Sequence, residues 1–423
     1  MFLALTTFWF LDATYAQTIP SNTDESKIPP YTLPDPLVMP NGKRVKSAAE
    51  WNAVQRPYIY HLFEQYQFGR YPGIKPVIHF KVLEADSHVF NGTATRKQIR
   101  IFLVPADTAV FMDLLVYLPN LAQRVPVFAG YNFFGNQSVQ DDRGILISRS
   151  WMPAKAKGVL NNRATENSRG TDSSQWPVEE ILKRGFGVVT AYYGDVEPDQ
   201  PDGWRSGIRT TMSQVLKIKP GEWSAMGAWA FGLSCMMDYL QKDQAIDAGR
   251  VALIGHSRLG KAALWAGASD RRFALLVSNE SGEGGATLSK RWYGETIKII
   301  NQKFPYWFSP NYRSFGDNTA ALPMDGHMLL SLIAPRPLYV ASAEGDQWSD
   351  PKGEFLSAKE ASRVYSLFKR PGIDVDSMPP LHHPVGHTVR YHIRAGKHDV
   401  KWYDWQQYLQ FASEQFNVSR PLD

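Results

Sequence analysis

Cysteine is almost missing from this chain. Cys235 is the only one in 423 residues, which excludes an internal disulfide and any thiolate metal cluster. Long apolar runs are scarce too. Beyond the extreme N-terminus no stretch approaches the ~18 consecutive apolar residues that a membrane-spanning helix needs. Basic residues are not clustered: 46 Lys and Arg against 41 Asp and Glu leave a net charge of +5. The electrostatic footprint of a nucleic-acid binder is therefore lacking. The sequence has no H-E-x-x-H and no Asp-rich loop, which argues against a metal enzyme, and no cofactor is expected. Internal repeats and low-complexity segments are likewise absent. What is plentiful is core material. Apolar residues make up 43% of the chain and aromatic ones 13%, the balance of a globular protein with a large interior.

The N-terminal residues 1–11 (MFLALTTFWFL) are nearly all apolar, and Thr14-Tyr15-Ala16 follows with small residues. This reads as an export signal over residues 1–16, too short to span a bilayer and without the usual basic lead. An exported protein, secreted or periplasmic, is the expectation. Residues 17–45 are rich in Pro, Ser, Asn and Asp and read as an extended arm. The stretch 48–69 has helical spacing, with an interruption expected at Pro57. Period-two patterns around Val77–Leu83, Gln98–Val104 and Met112–Leu118 predict an antiparallel start to a sheet. Short apolar runs then alternate with helical segments: Val125–Ala129, Gly187–Ala191, Val251–Ile254, Leu275–Ser278 and Leu338–Ala341. Such runs suit strands buried on both faces. The expected architecture is a three-layer α/β sandwich with a mostly parallel central sheet, forming one catalytic domain over residues 17–423. The polar, glycine-containing stretch 132–176 reads as a surface insertion near the site.

One segment carries the strongest chemical signal. The run Val251-Ala252-Leu253-Ile254 leads into Gly255-His256-Ser257, and good helix formers follow. A serine on a sharp strand-to-helix turn is a nucleophile elbow, with its hydroxyl held near the positive end of a helix. The usual spacing is G-x-S-x-G, whereas here the second glycine is Gly260, three residues after Ser257. An ordinary glycine turn is the alternative. A nucleophilic serine needs a base, and the base needs an orienting acid. Five of the ten histidines lie between residues 382 and 398. His398 follows the strand-like run Val389–Arg394 in a glycine-containing loop, where a base belongs. His392 falls within that strand, and His382, His383 and His387 lie in a Pro-flanked loop. Two acids compete for the third place: Glu280, after the run Leu275–Ser278, and Asp346, after Leu338–Ala341.

These residues together resemble the glucuronoyl esterase family. Gly255-His256-Ser257-Arg258-Leu259-Gly260-Lys261 is similar to that family's Gly-Cys/His-Ser-Arg-x-Gly-Lys elbow, and here the late glycine becomes support. Asn279-Glu280-Ser281-Gly282 with Gly284-Gly285, Ala334-Pro335-Arg336-Pro337, Asp346-Gln347-Trp348 and Gly396-x-His398 match its later blocks in order. The resemblance runs from about Tyr71 to the C-terminus. It implies an α/β-hydrolase fold without metal, and cleavage of esters joining 4-O-methyl-glucuronate on xylan to lignin alcohols. It also implies Ser257 as nucleophile, His398 as base, Glu280 or Asp346 as its acid, and Arg258 at the oxyanion. Lys261, Glu295 and Trp348 match positions that hold the glucuronate. Fungal relatives carry cysteine at the His256 position, bonded to one after the catalytic histidine. Here that second position is Asp399, so a His256–Asp399 hydrogen bond is the expected replacement brace. Glucuronoxylan and lignin–carbohydrate esters are thus the expected partners, with no nucleic acid, no membrane, and a monomer as the expected state. Another carbohydrate esterase, such as an acetyl-xylan esterase, is the alternative within enzymes. A non-catalytic polysaccharide-binding protein on a hydrolase fold is the alternative outside them.

Overall fold

The computed structural model describes residues 21–73, 78–104, 107–121 and 124–418. The export signal read from residues 1–16 lies outside these. Ten strands form the main sheet: β1 (His79–His88), β2 (Ala94–Val104), β3 (Asp107–Pro119), β4 (Val125–Asn132), β7 (Gly187–Tyr192), β8 (Ile246–His256), β9 (Leu275–Asn279), β10 (Leu338–Ala343), β11 (Val385–Gly386) and β12 (Val389–Arg394). Two more strands, β5 (Val159–Leu160) and β6 (Arg163–Ala164), make a separate small hairpin. The order across the main sheet is β1-β2-β3-β7-β4-β8-β9-β10-β12-β11. Strands β1, β2 and β3 pair antiparallel and meet β7 antiparallel. From β7 through β4, β8, β9 and β10 to β12 every pairing is parallel. The two halves follow the change in hydrophobic pattern along the sequence, because strands covered on both faces lose their polar alternation. Every residue of β4, β7, β9 and β10 is buried.

Side-chain alternation splits the interior into two cores. Val251 and Leu253 of β8 face one core, packed against the helices Ala225–Leu240, Arg258–Ser269 and Pro351–Ser366. Ala252 and Ile254 face the other, with the helices Val178–Lys183 and Trp402–Phe416. Helices thus cover both faces, giving the three layers of an α/β-hydrolase. The break expected at Pro57 does not occur. A π turn over Trp51–Gln55 widens the helix just before Pro57, which then sits in the first turn of the α-helix Arg56–Phe63. Widening gives the ring room against the preceding turn. The helical stretch ends at Gly69, with φ of 79°. A Cβ there would come within 2.4 Å of the Trp223 backbone, so only glycine fits this close crossing.

The topology has one consequence for function. Ser257, Glu280, Asp346 and His398 follow β8, β9, β10 and β12 respectively, and these four strands are neighbours in the sheet. All four residues therefore emerge along the same edge, at the carboxyl ends of parallel strands, where α/β sheets place their sites.

Candidate active site

The turn after β8 is strained. Ser257 has φ of 55° and ψ of −130°, and the helix Arg258–Ser269 starts directly after it. Gly260 and Lys261 donate their amides to the Ser257 carbonyl at 2.9 and 3.2 Å, while the Ser257 amide donates to the Asn279 carbonyl at 2.9 Å. Backbone strain of this kind persists where surrounding structure over-determines it, often at functional sites. The spacing of the glycines has a steric cause. A Cβ on Gly255 would lie 2.2 Å from the Leu259 carbonyl oxygen. One on Gly260 would lie 2.9 Å from the Ser281 Cβ and 3.0 Å from the Gly255 oxygen. The first turn of the helix folds tightly over the end of β8 and against the loop after β9, so the second glycine is needed at 260.

His398 sits between two carboxylates. Its Nδ1 is 2.6 Å from Asp346 Oδ2 and 3.1 Å from Glu280 Oε2. In the sequence Glu280 and Asp346 competed for a single place, but both address the same nitrogen. They differ in their other partners. Glu280, itself in a left-handed backbone conformation (φ 46°), accepts from Arg394 Nη2 at 2.6 Å and from the Asp399 amide at 3.2 Å. Arg394 also holds Asp404 at 2.7 Å, and Asp404 accepts from His392 Nε2 at 2.8 Å. Glu280, Arg394, Asp404 and His392 are all buried. Part of the Glu280 charge is thereby matched by a guanidinium, whereas Asp346 has no such cation beside it among the described contacts. Burial pushes Glu280 up to about 7 against the pull of His398 and Arg394. Burial would also raise Asp346, but bonding to His398 holds it below the usual range. For His398 burial acts downward, and the bonds to Asp346 and Glu280 outweigh it, raising the imidazole to about 9.

A general base must be neutral to accept a proton, so the sign for activity is clear. Rate is expected to rise with pH through the titration of this coupled group, with a midpoint above the ordinary histidine value of about 6.5. Asp346→Asn removes one stabilising charge and moves that midpoint to lower pH. A profile of kcat/KM against pH checks it, and an unmoved midpoint in the variant would contradict the arrangement.

The other histidines are placed elsewhere. His392 is fully buried between Asp404 and the Tyr339 hydroxyl. His382 accepts from the Ala395 amide, His383 contacts the Leu381 carbonyl, and His387 lies 3.6 Å from Asp374. The expected His256–Asp399 hydrogen bond does not form. His256 Nδ1 lies 2.6 Å from Asn279 Oδ1 instead, and Asp399 takes Gln175 at 2.8 Å and Lys401. Asn279 is reached because it pairs in register with His256 across β8 and β9. The two loops still touch, through rings: the imidazoles of His256 and His398 lie 4.4 Å apart between centroids, tilted by 37°. Burial and the neighbouring His398 push His256 down to about 3, so it stays neutral there. This contact also sets His398 beside the elbow.

Arg258 points its guanidinium to Asp199, with the Trp307 ring 4.8 Å beneath it. Asp199 is held in turn by the Tyr193 and Tyr306 hydroxyls at 2.8 Å each and by the Trp307 indole at 2.7 Å. Lys261 is buried and donates to the Ser281 carbonyl at 2.6 Å. Burial lowers its pKa, while the nearby Glu295 and Glu283 work against that. Glu295 is buried with its pKa raised by desolvation, and Lys261, Lys303 and the Trp348 side chain act in the opposite direction. The Glu295 amide donates to the Trp348 carbonyl at 2.9 Å. Trp348 is 37% exposed, with Lys303 Nζ 4.0 Å from its ring. Of the eight residues singled out in the sequence, Glu280, Asp346 and His398 are bonded together, Lys261, Glu295 and Trp348 form a second group, and Ser257 and Arg258 sit at the elbow. Asp199, Arg394 and Asn279 join them but were missed. Asp199 follows β7 in a loop at the same edge, and that position was the available signal. Arg394 gave none, since its inward direction depends on strand register.

The donor atoms of Glu280, Asp346 and His398 all lie within 4.8 Å of one another, a spacing that could suit a cation. The two short contacts to Nδ1 account for it without one, because an imidazole N–H already fills the gap between the carboxylates.

A strained serine at a strand-to-helix turn, with a histidine between acids on neighbouring strand ends, is an arrangement found in α/β-hydrolases. Comparison with known proteins is more specific. The family profile for fungal glucuronyl esterases matches residues 217–368. The solved glucuronoyl esterase from Solibacter usitatus is 48% identical, with a TM-score of 0.86, and the match covers 92% of this chain and 100% of that one. "Carbohydrate esterase MZ0003", from an unknown prokaryotic organism, is 44% identical over 97% of this chain and 96% of its own length. The 4-O-methyl-glucuronoyl methylesterase 1 of Phanerochaete chrysosporium is 36% identical over 82% of this chain and 65% of its own. This chain belongs to the glucuronoyl esterase family, carbohydrate esterase family 15.

Proposed function

We propose that this protein is a serine esterase that cleaves the ester between 4-O-methyl-glucuronic acid of glucuronoxylan and lignin alcohols. The observation that carries this reading is the two-carboxylate clamp on His398 Nδ1 beside the Ser257 elbow, with Lys261 and Glu295 on the adjoining wall. In this reading Ser257 Oγ attacks the C6 carbonyl of the uronate ester while His398 takes its proton. Asp346 and Glu280 hold the ring by Nδ1 and stabilise the imidazolium that forms. The negative oxygen that develops on C6 is met by Arg258 and by elbow amides. A preorganised donor of that sort contributes about 2.7–4 kcal/mol to lowering the barrier. The C6–O bond then breaks and the alcohol leaves with the proton from His398. A water, deprotonated by the same imidazole, releases glucuronate from the acyl-enzyme and restores Ser257.

Lys261, Glu295 and Trp348 serve to bind the sugar rather than to do chemistry. An acetyl group would give a buried lysine and glutamate nothing to hold, which sets this reading above an acetyl-xylan esterase. Hydrolysis of benzyl glucuronate beside benzyl galacturonate and acetylated xylose tests it: glucuronate should be strongly preferred, and preference for the acetyl esters would overturn the assignment. Trp348→Ala and Glu295→Ala should raise KM by about tenfold or more with smaller changes in kcat, as loss of uniform binding does. Unchanged KM in both would return these residues to a packing role. The apolar leader at residues 1–16 supports export. Among the described residues no helix is long and apolar enough to cross a membrane.

A further inference from the structure

The two exposed tryptophans among the described residues, Trp292 (45%) and Trp348 (37%), lie on neighbouring loops. Trp348 falls within the group just discussed, but Trp292 has no role there. It is held at φ 54° and ψ 46°, the left-handed region that bulky side chains avoid. Nothing in its own packing requires this, because nearly half of it faces solvent. What enforces the turn is the close approach of the two loops. A Cβ on Gly294 would lie 2.4 Å from the Trp348 carbonyl oxygen, and the next residue, Glu295, donates its amide to that oxygen at 2.9 Å. On the other side the N-terminal arm is tied to the same loop. The Tyr293 hydroxyl donates to the Thr23 carbonyl at 3.0 Å and the Gly294 amide to the Asn22 carbonyl at 2.7 Å. Between arm and loop opens a cavity of about 680 Å³, lined by Trp292, Tyr31, Pro29, Pro30, Lys298 and Asn318 among others.

We propose that this cavity is a glycan subsite in which Trp292, with Tyr31, carries the pyranose units of the xylan chain bearing the esterified uronate. The inference rests on the esterase reading and extends it beyond the uronate ring. Its place follows from connectivity. The ester carbonyl belongs at Ser257 and the uronate at Lys261, Glu295 and Trp348. The loop that supplies Glu295 also supplies Trp292, and Thr296, the residue after Glu295, lines the cavity, so the cavity lies beside the uronate. Its chemistry selects a neutral sugar. Flat, exposed rings and two prolines present apolar faces to the C–H faces of a pyranose, while the exposed Asn318 amide can bond hydroxyls. Its lysines are already matched: Lys298 reaches Asp317 at 2.6 Å, and Lys290 donates to the carbonyls of Thr319 and Ala320 at 3.2 and 2.6 Å. The cavity is therefore no anion trap.

The test compares benzyl glucuronate with the benzyl ester of a glucuronate carried on xylotriose. The wild-type enzyme should prefer the xylotriose-linked ester. Trp292→Ala should lose about tenfold in kcat/KM on that ester, mainly through KM, yet stay within about twofold on benzyl glucuronate. Trp292→Tyr should restore most of the difference, and Tyr31→Ala should repeat the loss in part. Equal losses on both esters, or no loss on either, would overturn the subsite. So would a loss that follows the size of the alcohol instead of the glycan. If the wild-type protein cleaves neither ester, the esterase reading has failed, and the subsite is then decided by titrating xylotriose-linked glucuronate into the full chain and following tryptophan fluorescence. Binding weakened by Trp292→Ala supports it; absent binding, or binding that Trp292→Ala leaves unchanged, refutes it.

Discussion

Ser257→Ala is expected to abolish turnover of glucuronate esters, with kcat reduced by about 10⁴ to 10⁶. The fold should survive. Ser257 is half-buried, and its structural duty is carried by the backbone, through its amide to Asn279 and its carbonyl to Gly260 and Lys261. Alanine keeps all three bonds and occupies the same strained turn, so stability should change by less than about 0.5 kcal/mol. Acid-quenched mass spectra of the wild-type protein with a slow ester should show an adduct of one glucuronoyl group, absent from the variant. Activity of the variant within about tenfold of wild type would remove Ser257 from the reaction.

The second large effect is the double change Glu280→Gln with Asp346→Asn. With both carboxylates gone, nothing selects the His398 tautomer or offsets the imidazolium, and a loss of about 10⁴ is expected. Each single variant should cost far less, since at 2.6 and 3.1 Å either acid can serve Nδ1 alone. Asp346→Asn should be the costlier of the two. The Glu280 that remains shares its charge with Arg394, 2.6 Å away, and so stabilises the imidazolium less. A double variant no worse than one of the singles would show that the other carboxylate only supports the fold. Arg394 gives a control. Arg394→Met leaves Glu280 and Asp404 buried without their cation, and should lower stability by about 3–5 kcal/mol, seen in denaturant unfolding.

The sequence carried the local signals well. The apolar runs announced β4, β7, β8, β9 and β10 because a strand buried on both faces must be apolar along its whole length. The antiparallel start showed in the alternation of β2, where Ile99, Ile101 and Leu103 are buried and Arg100 and Phe102 between them are part-exposed. The elbow was legible as well, because a strand, a glycine, a serine and a helix lie consecutively in the chain. Less legible was anything that depends on how distant segments meet. Pro57 stayed inside its helix because a π turn preceded it, and no local pattern reveals such a turn. The partner of His256 was misjudged because Asn279 lies opposite it only through the register of β8 and β9.

By itself, then, the sequence determined the class of fold, the elbow around Ser257 and the small set of residues from which a base and its acids would come. These rest on composition and on neighbours along the chain, where spacing and periodicity act directly. Tertiary structure alone decided that Glu280 and Asp346 share one nitrogen of His398, and that Arg394 lies behind Glu280. It alone paired Arg258 with Asp199 and set the arm against the loop bearing Trp292. Each of these contacts joins residues from different strand ends or loops. Which strands become neighbours, and in which register, is settled only when both faces of the sheet are covered at once.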